Sequence, residues 1–227
     1  MSRIRHAFEN RFRALLGELG ARQREKGVRL LMAKADHNPG GIAGLSRGLA
    51  FQNVKLTEKV HRFKARRGET SNSVPPRIIC DAGLGGLARW LRAIGCDAEW
   101  IQDISDDQLI AEAERLNAII ITTDTPLLDR RVIHEGRVKA LWVPPTLKVL
   151  EQLRLVRAEL NLSPLESRCM RCGGELAEVP KESVADRIPP KTYKWINQYF
   201  QCVRCGKLFW HGTHWNRIAR ELEKTAS

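Results

Sequence analysis

Asp81, Asp106 and Asp124 lie in three segments far apart in the chain, and Cys169-x-x-Cys172 and Cys202-x-x-Cys205 form two pairs separated by 29 residues. Each set has its own chemistry. Carboxylates brought together repel one another unless a cation sits between them, and oxygen donors favour Mg²⁺ or Mn²⁺, hard ions that keep waters for a substrate phosphate. Metal-assisted hydrolysis of a phosphodiester needs such a site and no protein nucleophile. Each acid also has an ordinary explanation: Asp106 opens a helix, where acids are favoured, and Asp124 precedes a Thr-Pro turn. The cysteine pairs suit a closed tetrahedral thiolate site with a structural Zn²⁺, whereas an oxidoreductase dithiol needs only one pair. His211 and His214 are spare ligands for that site, and Cys80 and Cys96 read as small buried apolar residues.

The acids are worth considering together because of the elements that carry them. RIICD at 77–81, DAEWI at 97–101, AIIITTD at 118–124 and VKALWV at 138–143 read as strands. Between them lie the helical runs GLGGLARWLRAIG and SDDQLIAEAERLN, the latter with a Ser105/Gln108 capping box, then a short helix after Pro126. A helix from Thr146 to Leu160 follows the last strand. Single helices between strands predict right-handed βαβ units and a parallel sheet, whose ligands bind beyond the carboxyl ends of the strands. Asp81 and Asp124 close the first and third strands, and Asp103 and Asp106 follow the second. Gly83 to Ala88 also match G-x-G-x-x-A with Asp103 20 residues on, a dinucleotide-type spacing. Against it, Asp81 would stand beside the pyrophosphate. A tight turn and a close helix–sheet approach explain the glycines otherwise.

The 227 residues carry 38 Lys plus Arg and 26 Asp plus Glu, a net +12. Residues 1–76 hold +10, 77–166 hold −3 and 167–227 hold +5. Basic ends around an acidic middle suggest a polyanion gripped by the ends and chemistry in the middle. No apolar run approaches the ~20 residues of a membrane span, and Glu9, Glu18 and Glu25 argue against a transit peptide. The cytoplasm is the expected compartment. Ile4, Phe8, Phe12, Leu15, Leu16 and Leu19 predict an amphipathic helix over 2–32, interrupted near Gly17 and Gly20; 37–48 reads as turn-rich and 68–76 as a linker. Three units follow: a basic N-terminal extension at 1–76, an α/β unit at 77–165 and a cysteine ribbon with a terminal helix at 166–227.

IICDAGLGGLARWLRAIGCDAEW, SDDQLIAEAERLNAIIITTD, RCMRCGGEL and FQCVRCGKLFWHGTHW occur in the order that characterises the Mut-seven C-terminal ribonuclease domain family of the PIN-like nuclease superfamily. The chain resembles that family from about 77 to 220. The resemblance implies a small PIN-like three-layer α/β sandwich with a parallel sheet, a fused zinc ribbon and ribonuclease activity. It places the metal-binding, catalytic acids at Asp81, Asp106 and Asp124, with Asp107 as the alternative to Asp106. The chain departs from the family pattern at Thr123 and Thr125, where basic residues are usual, and at Gly173, where Asn is usual.

Lys207, Trp210, His211, His214 and Trp215 interleave cations with aromatics, a composition that grips phosphate and stacks on unpaired bases, or that packs the ribbon onto the α/β unit. Arg89 and Arg92 either hold a phosphate beside the acidic edge or form a solvated helix face. Arg62, Lys64, Arg66 and Arg67 form a basic run that suits a flexible RNA-binding arm or a helical platform. The expected function is Mg²⁺- or Mn²⁺-dependent RNA hydrolysis. The alternatives are an RNA-binding or ribosome-associated module without turnover and, more remotely, a dinucleotide-binding protein.

Overall fold

The computed structural model describes residues 2–69 and 75–224, without the side chains of Ser2, Thr213, His214 and Lys224. The chain starts with three helices, α1 (Ser2–Glu18), α2 (Arg24–Asp36) and α3 (Gly41–Arg66). A strand–helix alternation follows: β1 (Ile78–Cys80), α4 (Gly85–Ala93), β2 (Ala98–Trp100), α5 (Asp106–Leu116) and β3 (Ile119–Thr122). Then come two single turns, α6 (Thr125–Leu128) and α7 (Arg131–His134), before β4 (Ala140–Trp142) and α8 (Val149–Glu159). The last part contains β5 (Leu176–Val179), α9 (Pro190–Trp195), β6 (Tyr199–Cys202), β7 (Leu208–Trp210) and α10 (Thr213–Lys224).

The first four strands form one parallel sheet in the order β2-β1-β3-β4. Successive strand residues point to opposite faces, and both faces are covered. Ile78 and Cys80 of β1 join a core with Leu87 and Leu91 of α4 and Leu153 and Val156 of α8. Ile79 and Ile120 point the other way, to Leu109, Ile110 and Ala113 of α5 and to Leu127. The capping box expected at the start of α5 is present, with Ser105 accepting from the Gln108 backbone and Gln108 reaching back.

The N-terminal segment follows its sequence reading in part. The interruption expected near Gly17 and Gly20 is a break between α1 and α2, where Gly20 takes a φ of 69°, a left-handed conformation that glycine adopts without penalty, and α2 runs on to Asp36. The turn-rich stretch at 37–48 lies largely inside α3. Its glycines allow close approach: a Cβ at Gly48 would stand 2.7 Å from the Ala35 carbonyl oxygen of α2, and one at Gly44 would overlap the Pro39 carbonyl of the preceding loop. Phe12, Leu15, Leu49 and Val60 share one buried cluster with α4 and α8. Arg11 and Asn53 both bond the nearly buried Glu159 carboxylate at the end of α8.

Of the two readings of the basic segment, a flexible arm and a helical platform, the chain through Arg67 is a packed helical layer and not a flexible arm. Part of its charge is internally compensated, with Lys64 paired to Glu18 at 2.5 Å, Arg13 to Glu25 at 2.6 Å and Arg67 to Glu69 at 2.8 Å. Residues 70–74 of the expected linker lie outside the described residues.

The C-terminal part is an antiparallel sheet, β5-β6-β7, with an apolar cluster in which Val184, Ile188 and Tyr199 are buried and Val179, Tyr193, Ile196, Leu208 and Trp210 half-buried. No helix among the described residues is long and apolar enough to cross a membrane.

Candidate active site at the carboxyl edge of the sheet

In the order β2-β1-β3-β4 the chain leaves β1 toward one edge and returns to β1's other side. The topological switch point, where α/β sheets bind ligands, therefore lies between β1 and β3. Asp81 follows β1 and Asp124 follows β3 by two residues, so the two acids flank it. Both are half-buried.

Asp81 extends the ladder, its N–H bonding the Ile121 carbonyl at 3.0 Å. Its carboxylate accepts from the Ala82 N–H at 2.6 Å and from the Thr122 hydroxyl at 2.7 Å. That hydroxyl oxygen accepts in turn from the Asp124 N–H at 2.9 Å. Buried Thr122 thus couples the two acids through one oxygen, and the relative position of side chain 81 and backbone 124 is fixed.

Trp100 and Trp142 hold the same two loops from outside. They are the last residues of β2 and β4, the strands flanking the inner pair. Trp100 donates its indole N–H to the Ala82 carbonyl at 2.9 Å, next to Asp81, and Trp142 donates to the Thr123 carbonyl at 3.2 Å, next to Asp124. Gly85 makes room for the first indole, because a Cβ there would stand 2.8 Å from it. The second ring meets Phe8 of α1 edge-on at 6.3 Å. Trp142→Phe removes the indole N–H together with part of the bicyclic ring. It is expected to lower stability by about 1–3 kcal/mol in thermal unfolding, because the bond to the Thr123 carbonyl and part of the packing against Phe8 are both lost; an unchanged unfolding temperature would show that the indole does not hold this loop.

Asp106 is the first residue of α5 and is exposed; Asp107 is exposed and ion-paired with Arg130. Asp103 sits in the loop before them at a φ of 53°, a conformation Asp tolerates in turns. Among the described residues, the acids nowhere form a group of three whose oxygens lie within 4.8 Å of one another. The structure brings Asp81 and Asp124 into one network and leaves Asp106 on the rim. As donors, carboxylate oxygens at a half-buried edge fit a hard divalent ion, which is commonly held by one or two carboxylates with water filling the remaining positions.

The four cysteines do converge: Cys169, Cys172, Cys202 and Cys205 have ligand atoms within 4.8 Å of one another. The Cys169–Cys205 sulfurs are 3.7 Å apart and the Cys172–Cys202 sulfurs 3.5 Å, close to the ~3.8 Å edge of a tetrahedron with 2.3 Å metal–sulfur bonds. Burial pushes the Cys169 thiol up to about 12. At Cys202 burial also raises the value, but the backbone N–H groups of Cys205 and Arg204, with the neighbouring thiols, outweigh it and bring it down to about 7. The group is compatible with a structural zinc ion. Cys80 and Cys96 are buried and unpaired, with their thiols pushed up to about 12 and about 11 by desolvation, as small core residues would be.

Of the cations singled out from the sequence, Arg92 is not placed to contact a ligand as expected. It is 2% exposed, and its guanidinium donates to the Ala98 carbonyl at 2.6 Å and the Arg171 carbonyl at 2.9 Å. It clamps the first cysteine knuckle to α4 and β2; desolvation lowers its pKa. Arg89, one helical turn earlier, is exposed, as are Lys207 and His211. His211 stacks on Trp215 at 5.1 Å, whereas Trp210 turns to Tyr199 in the ribbon core. The His214 side chain lies outside the described residues. Sequence reasoning missed Thr122, Trp100 and Trp142; the one available signal was that two short apolar strands both end on Trp.

Fold and site together define a parallel α/β protein with two acids flanking its switch point and an appended four-cysteine ribbon. The family model described as Mut7-C RNAse domain matches residues 76–222, and the chain belongs to that family of nuclease domains. A human protein described as "Exonuclease mut-7 homolog" is 32% identical over 100 residues, which cover 42% of this chain and 11% of that protein. The chain thus corresponds to a small part of the curated relative. No solved structure matches it significantly.

Proposed function

We propose that the protein is a metal-dependent ribonuclease with a PIN-like α/β unit, hydrolysing RNA phosphodiesters at the β1/β3 edge and leaving 5′-phosphates. The observation that carries the proposal is the Asp81–Thr122–Asp124 network at the switch point of a Mut7-C domain.

Asp81 and Asp124 would hold Mg²⁺ or Mn²⁺, with Asp106 acting from the rim. When bound, such an ion lowers the pKa of its water and neutralises the non-bridging oxygens of the scissile phosphate. Thr122 keeps the two acids in register, and the two indoles keep their loops from spreading. Arg89, Lys207, His211, His214 and Trp215 would seat the RNA, and a structural Zn²⁺ on the four cysteines would hold the ribbon. Six unpaired cysteines suit a reducing compartment, and we place the protein in the cytoplasm.

The test is cleavage of an end-labelled RNA. Wild type with Mn²⁺ is expected to produce 5′-phosphorylated fragments, and EDTA to stop it. RNA binding with no metal-dependent cleavage would instead assign the chain to the RNA-binding modules. That second reading is favoured by Thr123 and Thr125, which leave the third-strand acid without adjacent cations.

A further inference from the structure

A pocket of about 440 Å³ lies between α3 and the start of α8 and shares no residue with the Asp81–Thr122–Asp124 network. Ala50, Val54 and Leu147, all buried, supply its apolar wall, and the exposed Phe51 ring lines it with Lys55 standing over that ring at 4.4 Å. Arg47 of α3 and Arg154 of α8 enter it as half-buried cations. Among the described residues neither forms a hydrogen bond or an ion pair, and the Arg154 Nε–H is buried with no acceptor. Other arginines of the helical layer are matched: Arg5 pairs with Asp36, Arg11 with Glu159 and Arg13 with Glu25. Glu151, the acid of the pocket wall, pairs with neither arginine, and one of its oxygens is tied to the Lys148 N–H at 2.7 Å. A cation half withdrawn from water without a counter-charge is unfavourable until an anion completes it.

We infer that this pocket binds a nucleoside 5′-monophosphate, at a site separate from the proposed catalytic edge. Guanidinium groups from two elements suit a phosphate, which Arg holds through paired N–H donors. A phosphate by itself leaves the apolar wall uncovered, whereas a base and ribose fill it, the base lying against Phe51, Val54 and Leu147. Two acceptors complete the set. Asn38 donates to the Ala35 carbonyl at 3.2 Å, which leaves its amide oxygen for a base amino group, and the second Glu151 oxygen can take a ribose hydroxyl. The pocket needs both parts of the chain, because Arg47 and Phe51 precede the region matched by the family model and Arg154 lies within it. The inference does not depend on the ribonuclease reading, although trimming that leaves 5′-phosphates releases molecules of this class.

The test is calorimetric titration of the zinc-loaded full chain with adenosine 5′-monophosphate, in buffer free of Mg²⁺ and Mn²⁺. Arg47→Gln and Arg154→Gln are each expected to weaken binding about tenfold to a hundredfold, the worth of a hydrogen bond to a charged group, and Phe51→Ala several-fold. Adenosine and inorganic phosphate, each one part of the ligand, should bind about tenfold more weakly or worse. Asp81→Asn, at the acid edge, should bind as the wild type does. Thermal unfolding checks that each variant is folded. A second reading comes from the Arg154 Nε–H resonance, assigned by its loss in Arg154→Gln, which should shift in the wild type on adding the nucleotide and stay in place on adding adenosine. No binding by the wild type, unchanged binding in folded Arg47→Gln and Arg154→Gln, or inorganic phosphate binding as tightly as the nucleotide would overturn the inference. Binding lost in folded Asp81→Asn would overturn it too, because the ligand would then sit at the acid edge.

Discussion

Asp81→Asn is expected to lower RNA cleavage about a thousandfold or more while leaving the fold intact. In the proposed mechanism the loss follows from removing one of the two charges that would hold the divalent ion, a term of several kcal/mol in the transition state; about 4 kcal/mol corresponds to a thousandfold. The fold survives because the amide fits the same hydrogen bonds. Its oxygen can still accept from the Ala82 N–H, and its NH₂ can donate to Thr122 once that hydroxyl rotates, leaving the bond from the Asp124 N–H in place. Cleavage rates read beside thermal unfolding separate the two effects. A variant that unfolds at the wild-type temperature and cuts at the wild-type rate would remove Asp81 from the chemistry.

Withdrawing the metal from the four cysteines is expected to unfold the ribbon and spare the parallel sheet. The ribbon has a small core of its own, three buried apolar residues with five half-buried ones against them, little to set against the conformational entropy of ordering it. A zinc ion on the four thiolates, as proposed, would supply on the order of 10–16 kcal/mol, enough to decide whether the ribbon is ordered. The sheet has its own core on both faces and does not. A strong chelator, or Cys202→Ser, should therefore release about one zinc per chain and collapse the amide resonances of β5, β6 and β7, with those of β1 and β3 kept. Unchanged spectra after complete zinc removal would contradict this account.

Much of the α/β unit could be read from residue order. Short β-branched runs bounded by Gly, Asp and Asn leave little choice but strands, and the Ser105/Gln108 box marks a helix start by a local hydrogen-bond pattern. The cysteine pairs needed only their spacing.

What could not be read depends on contacts across the chain. Pro39-Gly40-Gly41 looks like a turn continuing to Gly48, and only the approach of α2 to Gly48 and of the Pro39 carbonyl to Gly44 shows that both are packing positions inside a helix. Arg92 has the spacing of a solvated face shared with Arg89, and its burial is imposed by a knuckle some 80 residues away. The acids themselves were legible as strand-end residues. Thr122, which joins them, was not, because a threonine at the end of a β-rich run ordinarily signals only β-propensity.

The pairing of Asp81 with Asp124 at a hard-ion site is tested most directly by titrating the zinc-loaded full chain with Mn²⁺ and following free Mn²⁺ by electron paramagnetic resonance. Wild type is expected to take up Mn²⁺, and Asp81→Asn with Asp124→Asn combined to take up none at that site while retaining zinc and fold. Equal Mn²⁺ uptake by the folded double variant would contradict the account.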